Sequence, residues 1–363
     1  MATDKNNVEA LIRQSRPINI KDPYDAGWVE GKTILITGGA SGFGEGFFRK
    51  WAHHGANVII GDVNDARGNE IVAEVRKTTG NKHLHYIHCN VANWQSQVSF
   101  FRQSVKLSPT GGIDAVVANA GISDGAPFFY EVPDYDAVEE PPAPVYKCFE
   151  VNLVGVMYTS QLALHYLSKN PKSAIPNTSL TPAPNTRDRH LLLLGSIASL
   201  GPIPGQVQYC VSKHGVLGLF RSLRSTAFVN GVRVNILLPY FIDTPILPAV
   251  GRLVLAGSGM GKPEDVIDAG TRLMADTRIV GRSLAIGPKV RIDDDWQVIS
   301  PSSPNGTESA VWEAYAEDFV EVEAFTRRFI GAINQVEVIR GWVGWATDVL
   351  LAFAYPVRNM LRR

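Results

Sequence analysis

The chain has 363 residues with 35 basic and 35 acidic side chains, so its formal net charge is zero. That balance leaves no polybasic footprint for nucleic acid. The length fits one large α/β domain of roughly 250 residues with additions at its ends and in its loops.

In chain order, residues 1–30 read as an N-terminal arm; MATDKNNVEALIRQ lacks the apolar core of a signal peptide, and a cytoplasmic protein is expected. Residues 33–62, TILITGGASGFGEGFFRKWAHHGANVIIGD, give a strand, a glycine turn, an amphipathic helix and a second strand ending on an acid. Thr37, Gly38, Gly42 and Gly44 in the turn follow TGxxxGxG, which lets the backbone approach a pyrophosphate and aims a helix N-terminus at its charge. Asp62, 24 residues after Gly38, can accept from an adenosine ribose and would repel a 2′-phosphate, so the expected cofactor is NAD. His83, His85 and His88 follow without acids or cysteines at ligand spacing, and no metal is expected.

Next comes the strand IDAVVA with Asn119, Ala120 and Gly121 at its end, and then two Pro-rich stretches. Residues 123–146 carry aromatic side chains on a turn-prone loop placed to line a pocket, whereas residues 168–190 read as a solvated or disordered insertion. Between them Asn152 lies in a helix, VNLVG. The run LLLLGS ends at Ser196, and Tyr209 and Lys213 follow 13 and 17 residues later. Positions i and i+4 share a helix face, so the lysine stacks beside the tyrosine while the strand end presents a serine hydroxyl to the same point. An ammonium about 4 Å from the phenol, at an effective dielectric near 20, contributes on the order of 4 kcal/mol, or about 3 pH units, toward phenolate. Such a trio can move a proton on or off an alcohol or ketone oxygen.

These motifs, in this order and spacing, resemble the short-chain dehydrogenase/reductase family from about residue 30 to about residue 288. The NAD-type acid and GRSLAIGP at 281–288 are further similar to 15-hydroxyprostaglandin dehydrogenase-like enzymes and to fungal polyketide-pathway alcohol dehydrogenases of the 5′-hydroxyaverantin dehydrogenase type. The resemblance implies a Rossmann-type doubly wound parallel sheet over residues 31–290, with Asn152, Ser196, Tyr209 and Lys213 as the catalytic set. It implies cofactor contacts from Thr37, Gly38, Ser41, Gly42, Phe43, Gly44, Asp62, Asn90, Val91, Asn119, Ala120, Gly121, Tyr209, Lys213, Pro239, Ile242 and Thr244. It also implies a homodimer or homotetramer, with Lys213 on the cofactor ribose and Asn152 supporting a proton relay. Two positions depart from the pattern: Asn90-Val91 replaces Asp-Val, and Pro239-Tyr240 replaces Pro-Gly, setting a bulky ring near the expected nicotinamide pocket.

Cys89, Cys148 and Cys210 are odd in number and irregularly spaced, as for reduced thiols. Residues 291–363 read as a mainly helical extension, with VWEAYAEDFVEVEAFTRRFIGAI as one amphipathic helix. Residues 341–357 are apolar on most faces; their 17 residues would rise about 26 Å, short of a hydrocarbon core, with Asp348 near the middle. They are expected to form a subunit interface or pocket cover, with peripheral membrane contact as the alternative. The function expected is NAD-dependent interconversion of a secondary alcohol and a ketone on a fairly large apolar substrate. An isomerase or cyclase using the same pocket, or a non-catalytic NAD-binding scaffold, are the competing readings.

Overall fold

The computed structural model describes residues 15, 18–123, 134–137, 139–170, 187–224, 226–227, 231–245, 259–293, 297–304 and 306–314. Beyond them it describes helical positions at 329, 332, 335, 341–343 and 346. Arg13–Ala316 form one compact unit, and Met1–Ile12 with Glu317–Arg363 form another.

The larger unit is a Rossmann-type doubly wound sheet. Its β-branched and aliphatic runs give β1 (Thr33–Thr37), β2 (Asn57–Asp62), β3 (His85–His88), β4 (Ala115–Ala118), β5 (His190–Leu194), β6 (Arg233–Pro239) and β7 (Ser283–Ile292). These seven pair in parallel in the order 3-2-1-4-5-6-7, and β8 (Thr307–Glu313) adds to β7 antiparallel. The order reverses between β1 and β4, the switch point where α/β sheets open a ligand crevice at their C-terminal edge.

Helices cover both faces. Ile34 and Ile36 of β1 point to a cluster with Phe47, Phe48 and Trp51 of α1 (Gly42–His53) and Leu273 of α6 (Pro263–Ala275). Leu35 points the other way, to Phe100 and Phe101 of α3 (Trp94–Leu107), Leu167 of α4 (Gly155–Ser168) and Phe220 of α5 (Val207–Leu223). A further helix, α2 (Asp65–Thr79), starts on an Asn64 cap whose side chain accepts from the Arg67 amide and ends on Gly80 at φ 70°. α4 is entered through a π-turn, Glu150–Val154.

Two expectations need correction. Val311–Glu313, expected in a helix, lie in β8, so the sheet continues past residue 290. A seven-residue run holding Ala310, Val311 and Trp312 satisfies either periodicity, and pairing with β7 decides it. The arm packs on this unit from Ile18 onward: the Ile18 amide donates to the Glu313 carboxylate at 2.7 Å, the Tyr24 hydroxyl to Asp268 at 2.6 Å, and Val29 is fully buried.

The insertion at 168–190 is not solvated at its ends, where Asn170, Asp188 and His190 are buried. Asp188 takes two bonds from Arg233 at 2.7 and 2.9 Å and one from Lys32 at 2.9 Å, an ion cluster at the N-terminal edge of the sheet. Residues 171–186, and 124–133 of the first Pro-rich stretch, lie outside the described residues. Among the described residues no helix is long and apolar enough to cross a membrane.

Candidate active site

The glycine turn joins β1 to α1. Gly38 (φ 66°) and Gly42 (φ 54°) hold left-handed backbone, and around Gly42 the space where a Cβ would stand is open. A Cβ on Gly44 would come within 2.1 Å of the Gly38 carbonyl, so that glycine serves packing under the turn. Asn119 locks the turn from β4, donating from Nδ2 to the Thr37 and Gly38 carbonyls at 2.9 Å each. Thr37 Oγ1 accepts from the Asn119 and Ala120 amides at 3.2 and 3.3 Å. At the end of β2, Asp62 accepts from the Ala40 amide and the Asn64 amide, each at 3.0 Å, which fixes its carboxylate beside the turn.

At the far end, Ser196 caps a short 3-10 turn, Ile197–Ser199, and its hydroxyl is hydrogen-bonded to that of Tyr209. Ser199, which the motif reading did not single out, joins the two halves of this trio. Its Oγ accepts from the Ser196 amide at 3.2 Å and donates to the Lys213 carbonyl at 2.8 Å, while the residue is 1% exposed. Lys213 is buried on α5 and donates from Nζ to the Leu194 carbonyl at 2.9 Å. Asn152, fully buried in the π-turn, accepts from the Ile122 amide at 2.8 Å and donates to its carbonyl at 2.7 Å. Register changes of this kind often mark functional positions. A Cβ on Gly121 would lie 3.3 Å from Asn152 Oδ1 and 3.7 Å from Lys213 Nζ, which puts these two groups behind the same glycine.

The electrostatics differ from the expected ones. Burial pushes the Tyr209 phenol above its usual 10, with the Ser196 hydrogen bond opposing, and Lys213 does not pull it down. The ammonium sits 5.7 Å from the Tyr209 ring centroid, tied to Leu194. Burial in turn lowers Lys213 from 10.5 to about 8.

A single cavity of about 820 Å³ runs between the two ends. It is lined by Gly38, Ser41, Gly42, Phe43, Asp62, Asn90, Val91, Asn119, Ala120 and Gly121 toward the turn, and by Ser196, Tyr209, Lys213, Pro239, Ile242 and Thr244 toward the trio. Thr37, Gly44 and Asn152, also expected at the site, lie behind its wall. The motifs had not pointed to Val63, Cys89, Val151, Ile203, Pro204 or Gln206, which also line it; a single apolar or polar residue in a loop carries no spacing signal. The open glycine turn at a helix N-terminus, with a fixed carboxylate at one end and a buried cation at the other, fits a nicotinamide dinucleotide.

Parallel sheet, switch-point cavity and Ser–Tyr–Lys trio together define an oxidoreductase of the Rossmann type. The family model for short chain dehydrogenase matches residues 32–252, and the chain belongs to that family.

Among curated relatives, the chain is 36% identical to 5′-hydroxyaverantin dehydrogenase of Dothistroma septosporum, over 75% of this chain and 91% of that one. It is 30% identical to the NADP-dependent dehydrogenase clz5 of Cochliobolus lunatus, over 75% and 94%. To mouse 15-hydroxyprostaglandin dehydrogenase [NAD(+)] it is 29% identical, over 61% and 71%.

Proposed function

We propose that the protein is an NAD-dependent alcohol dehydrogenase that interconverts a secondary alcohol and a ketone on a fairly large, apolar substrate. The observation that carries this reading is the one cavity that joins Asp62 and the glycine turn to Ser196, Tyr209 and Lys213. A nicotinamide dinucleotide bound there supplies the hydride acceptor for oxidation, or the donor for reduction. In oxidation the Tyr209 hydroxyl oxygen takes the proton of the substrate alcohol, and the Ser196 hydroxyl holds the substrate oxygen. Lys213 holds the cofactor ribose, and Asn152, on the far side of Gly121, supports the path by which that proton leaves. Reduction runs through the same atoms in reverse.

The preference for NAD rests on Asp62. Family likeness alone does not choose, since the Cochliobolus lunatus relative is named for NADP. A carboxylate oriented by two backbone amides beside the turn offers an acceptor to a ribose hydroxyl and repels a 2′-phosphate. We also assign the protein to the cytoplasm as a homodimer or homotetramer; the expectation for residues 341–357 falls, apart from 341–343 and 346, outside the described residues.

Calorimetry with both nucleotides, followed by NADH formation across a panel of neutral secondary alcohols, tests the reading. NAD should bind far more tightly than NADP, and Asp62→Ala should narrow the gap. Equal affinities in the unaltered protein would remove Asp62 from the nucleotide. NAD binding without NADH formation from any alcohol would favour a scaffold or an isomerase.

A further inference from the structure

Asp62 and Lys213 are the only charged side chains among the described residues that line the cavity. The first stands at the glycine turn, and the second is held by the Leu194 carbonyl. In the reading above both are committed, Asp62 to the cofactor ribose and Lys213 to the cofactor beside Tyr209, so a charged substrate group would leave water with no further counter-charge on the described wall, which is strongly unfavourable.

The wall also has a shape. Leu194 of β5 is in register with Leu237 of β6, so the segments that carry Ser196 and Tyr240 leave neighbouring strands at the same edge of the sheet, and both line the cavity. The Tyr240 amide donates to the Ile286 carbonyl of β7 at 2.7 Å, which pins its backbone. Its ring meets Phe241 edge-on, with centroids 4.8 Å apart and planes at 82°. The side chain is 39% exposed and lines the cavity. A braced ring that still offers surface to the cavity is a platform for another flat ring, and a steric stop for a thick saturated skeleton.

We propose that the substrate is an uncharged secondary alcohol with a flat aromatic ring next to its carbinol carbon, and that Tyr240 selects it by stacking. This rests on the alcohol-dehydrogenase reading above. Aromatic pairing beyond area burial corresponds to a preference of about 2- to 12-fold, which is the size of effect to look for.

The test uses methyl naphthyl carbinol and its fully saturated counterpart, methyl decalinyl carbinol, with a carboxylated naphthyl analogue as the charged control. Two quantities are read: kcat/KM with NAD, and the affinity of the matching ketones in the presence of NAD, where the ketone cannot turn over. The unaltered protein and Tyr240→Phe should favour the naphthyl compounds by at least the stacking ratio and reject the carboxylate. Tyr240→Leu should lose that ratio, and Tyr240→Gly should lose it while gaining on the decalinyl compounds, each ratio being read at saturating NAD. Turnover of both neutral alcohols at a ratio indifferent to Tyr240→Leu, or preference for the carboxylate, overturns this inference and leaves the dehydrogenase reading intact. Absence of turnover and ketone binding for both neutral compounds while another alcohol of the panel yields NADH overturns this inference alone; absence of NADH formation across the whole panel overturns the dehydrogenase reading and this inference with it.

Discussion

Lys213 should destabilise the fold that contains it. Its ammonium is buried with one backbone carbonyl as hydrogen-bond partner, and burial lowers its pKa from 10.5 to about 8. At about 1.36 kcal/mol per pH unit, that drop corresponds to roughly 3 kcal/mol of preference for the unfolded chain at neutral pH. Between about pH 8 and 10.5 the unfolded state holds the extra proton, so stability rises with pH through that window and the penalty is gone above it. Lys213→Met keeps the length of the side chain and removes the charge, at the cost of one donor to the Leu194 carbonyl, about 1–2 kcal/mol. The net expectation at pH 7 is a variant about 1–2 kcal/mol more stable than the parent and nearly inactive. Urea unfolding of both proteins from pH 7 to pH 10.5 measures it: the variant's advantage should shrink with rising pH and change sign near the top of the range. A variant less stable at pH 7, or a difference that ignores pH, would refute the reasoning.

Tyr209→Phe removes the group assigned to proton transfer and should lower kcat by at least about 100-fold with NAD affinity nearly unchanged; wild-type turnover would exclude the tyrosine. Ser199→Ala unties Ser196 from Lys213 without touching the cavity, so kcat should fall about 10- to 100-fold while calorimetry shows unaltered NAD binding, and Ser199→Thr should restore part of the loss. Asp188→Asn should cost about 3–5 kcal/mol in urea unfolding at pH 7, because Arg233 and Lys32 are left buried without their counter-charge. Burial alone would raise the Asp188 carboxyl, yet Arg233 and Lys32 hold it well below the usual carboxylate range. Its contribution is therefore complete above the unfolded pKa near 4 and is lost as pH falls toward the folded value, so calorimetric melting should show the parent's advantage over Asp188→Asn flat from pH 7 to about pH 4 and starting to shrink below it.

The nucleotide half of the site was legible because its signals are local: a turn that needs glycine at Gly38 and Gly42, and an acid at the end of the next strand. The order of Ser196, Tyr209 and Lys213 was legible for the same reason, since one strand end and one helix face position all three. What stayed hidden depends on distant partners. Ser199 looks like any loop serine until its hydroxyl is seen between Ser196 and Lys213. Asp188 and His190 read as part of a polar stretch, and their burial is decided by Arg233, Lys32 and Asn235, far away in sequence. The expected effect of Lys213 on Tyr209 failed because burial acts on both groups, and the helix periodicity that places them on one face does not show how deeply they are enclosed. β8 was misread because a short mixed run has no period of its own until it meets β7.

That last strand changes what the family sheet can tolerate. With β8 alongside, β7 is an interior strand, and the Ile286 carbonyl that pins Tyr240 belongs to a ladder held from both sides. The glycine turn and its acid are built from β1, β2 and β4, whereas the aromatic wall hangs on β6 and its stiffened neighbour. Mutation can therefore rework the wall while the turn keeps its form: a lineage that trades one alcohol for another through Tyr240, Phe241 and the β7–β8 pair inherits the glycine turn and Asp62 as they were.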